Sequence, residues 1–145
     1  MDEIFLEKVK AGEEILSFGG GHILVETGFI NKPQMLLDIF FHLEMAGLKP
    51  ILAHPERYQY LIADKKLQDE LIERNLLFQV NLLSLTGFYS KQVKDFGEML
   101  IERNAVALFG TDCHNARYLD MLETLPKQQK IYEKIKKLEL INHQL

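Results

Sequence analysis

"ILAHPERYQYL", residues 51–61, decides how the chain is read. Ile51, Leu52 and Ala53 form an aliphatic run that ends abruptly in His54, Pro55, Glu56 and Arg57. A buried strand that stops at an imidazole, a carboxylate and a guanidinium delivers polar groups to a working edge. Three other runs share its character: Ile23-Leu24-Val25, Leu77-Phe78-Gln79-Val80 and Val106-Ala107-Leu108-Phe109. With Pro50–Ala53 they are short, aliphatic and apolar on both faces, as parallel strands covered by helices are.

Helical periodicity fills the intervals. Leu36, Ile39, Phe40 and Leu43 follow the first run, Leu67, Leu71 and Ile72 the second, and Val93, Phe96 and Leu100 the third, each set marking one apolar helix face. Glu26, His54, Asn81 and Asp112 close the four runs at intervals of 28, 27 and 31 residues, the length of one βα unit repeated. The fold predicted is α/β: an incomplete (βα) barrel of about four parallel strands with flanking helices, forming a single domain over residues 1–145. Helices are expected at about 2–12 and 117–140, the second broken at Pro126. Gly19-Gly20-Gly21 follows no strand, so it reads as a turn and not as a phosphate-binding glycine loop.

Composition excludes several classes. The chain has 145 residues, 47% hydrophobic and 26% charged, with a net charge of −4 that favours neither nucleic acid nor an anionic membrane. No apolar stretch approaches the roughly 20 residues that span a bilayer, and no basic leader precedes a signal core, so a cytoplasmic protein is the default expectation. Cys113 is the only cysteine, and the sixth residue after it is Leu119, not the arginine of a C-x5-R phosphatase. Thiol catalysis is therefore disfavoured.

The predicted edge gathers Glu26, His54, Asp112 and His114. Mixed carboxylate and imidazole donors suit manganese, iron or zinc better than calcium or magnesium. In "GTDCHN", residues 110–115, Asp112 and His114 are two apart and would leave one face together if strand geometry continued. Taken singly, each residue has a bland explanation, such as a helix cap or a hydrogen-bonded rim histidine. Three strands ending in ligand-type residues at matched spacing favour a site. Arg57 has the planar fork for bidentate phosphate contact, although a surface salt bridge to Glu56 or Asp64 is an equal alternative. Asn81 is a weaker substrate-binding candidate, and His22, His42 and His143 receive no role. The set points to metal-assisted hydrolysis, with a phosphate ester as the favoured substrate.

"LVETGF", "LAHPERY", "FQVNLLSLTGFYS" and "GTDCHN" resemble successive motifs of the PHP-type (polymerase and histidinol phosphatase) protein-tyrosine phosphatases of capsular and exopolysaccharide synthesis, over about residues 5–125. The resemblance implies the later part of a distorted (βα)7 barrel. It also implies a divalent metal cluster, usually manganese, with Glu26, His54, Asp112 and His114 as ligands and Arg57 assisting catalysis. The implied partner is the phosphotyrosine tail of a bacterial tyrosine kinase. The family's first-strand His-x-His motif and its other early ligands have no counterpart here, so the ligand set is incomplete and the chain matches the C-terminal part of a longer member. Other readings are a histidinol-phosphatase-like enzyme or a catalytically silent protein-binding module. An open half-barrel is expected to be covered by a second copy or by its N-terminal helix.

Overall fold

A computed structural model of the protein describes residues 2–123, 125 and 129–144. Four strands, β1 (His22–Val25), β2 (Lys49–Ala53), β3 (Leu77–Asn81) and β4 (Val106–Gly110), lie in that order in one open sheet, and every neighbouring pair is parallel. Helix α2 (Leu36–Met45) connects β1 to β2, α3 (Gln59–Ala63) and α4 (Lys65–Glu73) connect β2 to β3, and α5 (Lys91–Glu102) connects β3 to β4. Helix α1 (Glu3–Lys10) precedes the sheet; α6 (Ala116–Leu122) and α7 (Gln129–Ile135) follow it. Pro126, expected to interrupt the last helical stretch, lies outside the described residues.

Local chemistry explains the repeat. Asp2, Asp64, Ser90 and Asn115 cap α1, α4, α5 and α6, each side chain accepting from a backbone N–H in the first turn. Helices α1, α2, α4 and α5 end in Gly12, Gly47, Asn75 and Asn104, all with positive φ, where glycine or asparagine is tolerated. After α2, α4 and α5 the next residue turns its N–H back to the last helical turn: Leu48 to Leu43, Leu76 to Leu71, Ala105 to Leu100. Each reversal aims the chain into the next strand.

Side chains alternate across the sheet. Ile23, Val25, Leu52, Phe78, Val80 and Val106 face the helices and share one core with Leu36, Ile39, Phe40, Leu43, Leu71 and Leu100. On the other face Ile51, Ala107 and Leu108 form a smaller cluster against which Leu77 and Ile141 pack. Phe78 pairs with Val106 but Gln79 with Leu108, so β4 carries a bulge there. The β4 edge is covered by the C-terminal segment: the Ile141 N–H donates to Ala107 O at 2.9 Å, and the Asn142 amide bridges Phe109 N and O. Helix α1 packs against α2, because Leu6 and Val9 join the main core. The expected cover by the N-terminal helix is therefore corrected: the C-terminal segment closes the β4 side, while Leu24 on β1 stays 49% exposed. Gly19-Gly20-Gly21 is a turn of three positive-φ glycines closed by an antiparallel bridge between Phe18 and His22.

Candidate active site

His54 leaves β2 with φ 31° and ψ 53°, a left-handed conformation that non-glycine residues rarely adopt and that often marks a functional position. Its ring turns inward, is buried, and brings Nε2 to 3.3 Å from Glu26 Oε1 at the end of β1. Nδ1 is buried without a hydrogen-bond partner. Burial pushes the His54 pKa below its ordinary value; Glu26 and Asp112 oppose this and Arg57 reinforces it. The neutral imidazole is the form that can ligate a metal.

The loop carrying Glu26 is tied to the segment after β2. The Thr27 N–H donates to Tyr58 Oη at 3.1 Å, Thr27 Oγ1 pairs with Tyr60 Oη at 2.8 Å, and the Gln59 N–H donates to Phe29 O at 2.8 Å. Tyr58 and Tyr60 stack with centroids 5.4 Å apart, and burial raises both phenol pKa values, keeping them protonated. The Phe29 ring in turn stacks on His54 at 5.5 Å.

Arg57 ends the 3-10 turn Pro55–Arg57, and its Nη1 donates to Asp112 Oδ2 at 2.7 Å. Asn81 Nδ2 donates to the same oxygen at 3.1 Å, while Asn81 Oδ1 accepts from Gln79 Nε2 at 2.7 Å. The Arg57 guanidinium carbon lies 4.6 Å from the Phe29 ring centroid and 4.4 Å from that of Tyr89. Burial pushes the Tyr89 phenol up to about 12, with Arg57 opposing and Tyr118 and Asp112 adding to the rise.

Asp112 and His114 do not project from a continued strand, which corrects the sequence expectation. β4 ends at Gly110 and Asp112 has φ 49°, so the chain turns before the pair is complete. The turn itself brings them together: His114 Nδ1 is 2.8 Å from Asp112 O and 3.4 Å from Asp112 Oδ1. A carbonyl only accepts, so Nδ1 is the donor in this contact. The His114 side chain is 73% exposed.

Glu56, offered with Asp64 as an alternative surface partner for Arg57, lies in the interior instead. It is fully buried, and its Oε1 accepts from Asn81 N at 3.0 Å and Ser84 Oγ at 2.6 Å. Burial pushes its carboxyl up to about 7, against those two hydrogen bonds. Oε2 has no partner. Phe29, Tyr89 and Gln79 also escaped notice, because an aromatic or amide beside a strand run has the same sequence signature as an ordinary core residue.

The strand ends thus hold two donor pairs, Glu26 with His54 and Asp112 with His114, joined by Arg57 and Asn81. The donor types fit an ion that accepts oxygen and nitrogen together. The number does not complete a site: among the described residues no group of three or more His, Cys, Asp and Glu side chains is gathered around one position. One oxygen of Asp112 is already committed to Arg57 and Asn81, and His114 faces outward.

A family model described as capsular polysaccharide synthesis, CpsB/CapC, matches residues 2–142. Tyrosine-protein phosphatase YwqE of Bacillus subtilis (strain 168) is 31% identical over 113 residues, covering 77% of this chain and 44% of that protein. Tyrosine-protein phosphatase CpsB of Streptococcus pneumoniae is 26% identical over 115 residues, covering 76% and 47%. The chain therefore spans about half the length of the curated relatives it matches. A solved chain from the crystal structures of YwqE and CpsB, described as unique metal-dependent tyrosine phosphatases, superposes with a TM-score of 0.68 at 27% identity, over 92% of this chain and 61% of that one.

Proposed function

Because the chain belongs to the capsular polysaccharide synthesis family CpsB/CapC, we propose that its strand ends bind and hydrolyse a phosphotyrosine ester in a metal-dependent reaction. The observation that carries this reading is the meeting of Arg57, Asn81 and Asp112 beside the Glu26–His54 pair, at the ends of all four strands. Arg57 is the phosphate-binding and catalytic residue: its in-plane N–H groups offer a fork for two phosphoryl oxygens. Asn81 orients Asp112 and contributes a second amide donor near the phosphate.

Glu26, His54, Asp112 and His114 are the proposed metal ligands, with manganese the expected ion and iron or zinc the alternatives. Each pair supplies two donors, and the remaining positions fall to water, to substrate or to donors outside this chain. A divalent ion held there would polarise the phosphoryl group and lower the pKa of bound water. The substrate fitting the relatives' names is a tyrosine-phosphorylated protein, and we assign to it the phosphotyrosine tail of a bacterial tyrosine kinase. No helix among the described residues is long and apolar enough to cross a membrane.

Release of phosphate from a phosphotyrosine peptide, measured with and without manganese, tests the reading. The expected result is metal-dependent release that disappears in Arg57→Ala and His54→Ala. Equal release from those variants would overturn it. The absence of a three-ligand group among the described residues favours a second reading, a protein-binding module without catalysis. Its mark would be tight binding of the phosphopeptide with no stoichiometric metal and no turnover.

A further inference from the structure

We propose that Phe29 and Tyr89 are positioning residues for Arg57, holding its guanidinium between two rings so that its edge meets the phosphate. This rests on the phosphate-binding reading of Arg57 and assigns the device that aims it. The guanidinium carbon is 4.6 Å from one ring centroid and 4.4 Å from the other, and the side chain keeps only 21% of its exposure. A cation over an aromatic face is held most strongly where water is excluded. The five N–H donors of arginine lie in the guanidinium plane, and Nη1 already donates to Asp112 Oδ2 at 2.7 Å, which leaves the others for the phosphate.

Both rings are themselves braced. Phe29 stacks on His54 and leans on Tyr58 at 5.9 Å, and its backbone carbonyl accepts from the Gln59 N–H. Tyr89 meets Phe88 edge to face at 5.1 Å and Tyr118 at 6.3 Å. The clamp therefore draws one wall from the loop after β1 and the other from the segment after β3, around an arginine delivered by β2. Tyr89 presents the face of its ring to the Arg57 guanidinium carbon at 4.4 Å.

The test uses the full chain and the variants Tyr89→Leu, Tyr89→Phe and Phe29→Leu, with inorganic phosphate as the probe. Nuclear magnetic resonance of the arginine side chains reads the clamp directly, since two ring currents shift the Arg57 guanidinium protons upfield. Calorimetric titration reads phosphate binding. In Tyr89→Leu the upfield shift should shrink and phosphate affinity should fall about tenfold, and Tyr89→Phe should restore both. Phe29→Leu should produce the same pair of losses from the opposite wall. If the unaltered chain binds phosphate and Tyr89→Leu and Phe29→Leu keep both its affinity and its Arg57 shifts, the clamp is wrong. If the unaltered chain binds no phosphate, the phosphate reading of Arg57 fails first and the clamp's purpose falls with it.

Discussion

Arg57 Nη1 lies 2.7 Å from Asp112 Oδ2, so the turn after β2 is fastened to the turn after β4 across the strand between them. Asn81, at the end of that middle strand, reaches the same carboxylate oxygen. Three strand ends are thereby locked by one acidic atom.

Replacing Arg57 separates chemistry from stability. The pair is partly exposed, so Arg57→Ala should cost about 1 kcal/mol of folding stability or less. If Arg57 holds the phosphate as proposed, the same change should lower kcat/KM by about a hundredfold or more, the loss expected for a preorganised donor removed from developing charge. Arg57→Lys should recover little, since an ammonium has neither the fork nor the flat faces that Phe29 and Tyr89 enclose. Urea unfolding and steady-state kinetics on the same preparations check both halves.

Glu56 makes stability depend on pH in a stated direction. Its carboxyl has a pKa of about 7 when buried and an ordinary value of 4.5, so the native state holds a proton that the unfolded chain releases. Stability should therefore fall as pH rises through that window, the full loss above pH 7 being about 3 kcal/mol. Glu56→Gln keeps an oxygen for Asn81 N and Ser84 Oγ and removes the ionisation. Urea melts at pH 5 and pH 8 should show this variant close to the unaltered protein at the lower pH and more stable at the higher one.

Gly110 has no room for a methyl group: a Cβ there would lie 2.6 Å from Gln79 Nε2. Gln79 holds Asn81, and Asn81 holds Asp112. Gly110→Ala should destabilise the fold by about 1–3 kcal/mol through overpacking. Paired with Gln79→Ala, which makes space, the loss should be partly relieved, a coupling that a double-mutant cycle by thermal unfolding would measure.

Asn142 is the pin that keeps the C-terminal segment on β4. Its amide donates to Phe109 O at 2.9 Å and accepts from Phe109 N at 3.0 Å. Asn142→Ala should cost about 1–2 kcal/mol and speed amide exchange at Phe109 selectively, with the amides of β2 unchanged.

The repeat was legible because the strands are apolar on both faces and each ends in a polar residue at near-constant spacing. Leu52, Phe78 and Val80 read as buried letters, and they are. Glu26 and His54 were legible as neighbours for the same reason: β1 and β2 pair in register, Val25 opposite Leu52. The Asp112–His114 arrangement was not, since φ 49° at Asp112 breaks the alternation on which the reading depended. The burial of Glu56 was not legible, since carboxylates are rarely buried, and only its contacts with Asn81 and Ser84 explain the exception. The cover over β4 was illegible too, being made by a short tail whose Ile141 and Asn142 carry no periodic signal.

Manganese titration followed by nuclear magnetic resonance tests the central claim most directly, since the paramagnetic ion broadens only what lies near it. At substoichiometric manganese, signals from His54, His114, Asp112 and the Arg57 guanidinium should broaden first, together with the phosphorus resonance of added phosphate. Broadening that spares His54 and His114 while striking surface carboxylates such as Glu98 and Glu102 would contradict the assignment of the strand ends as a metal-assisted phosphoester site.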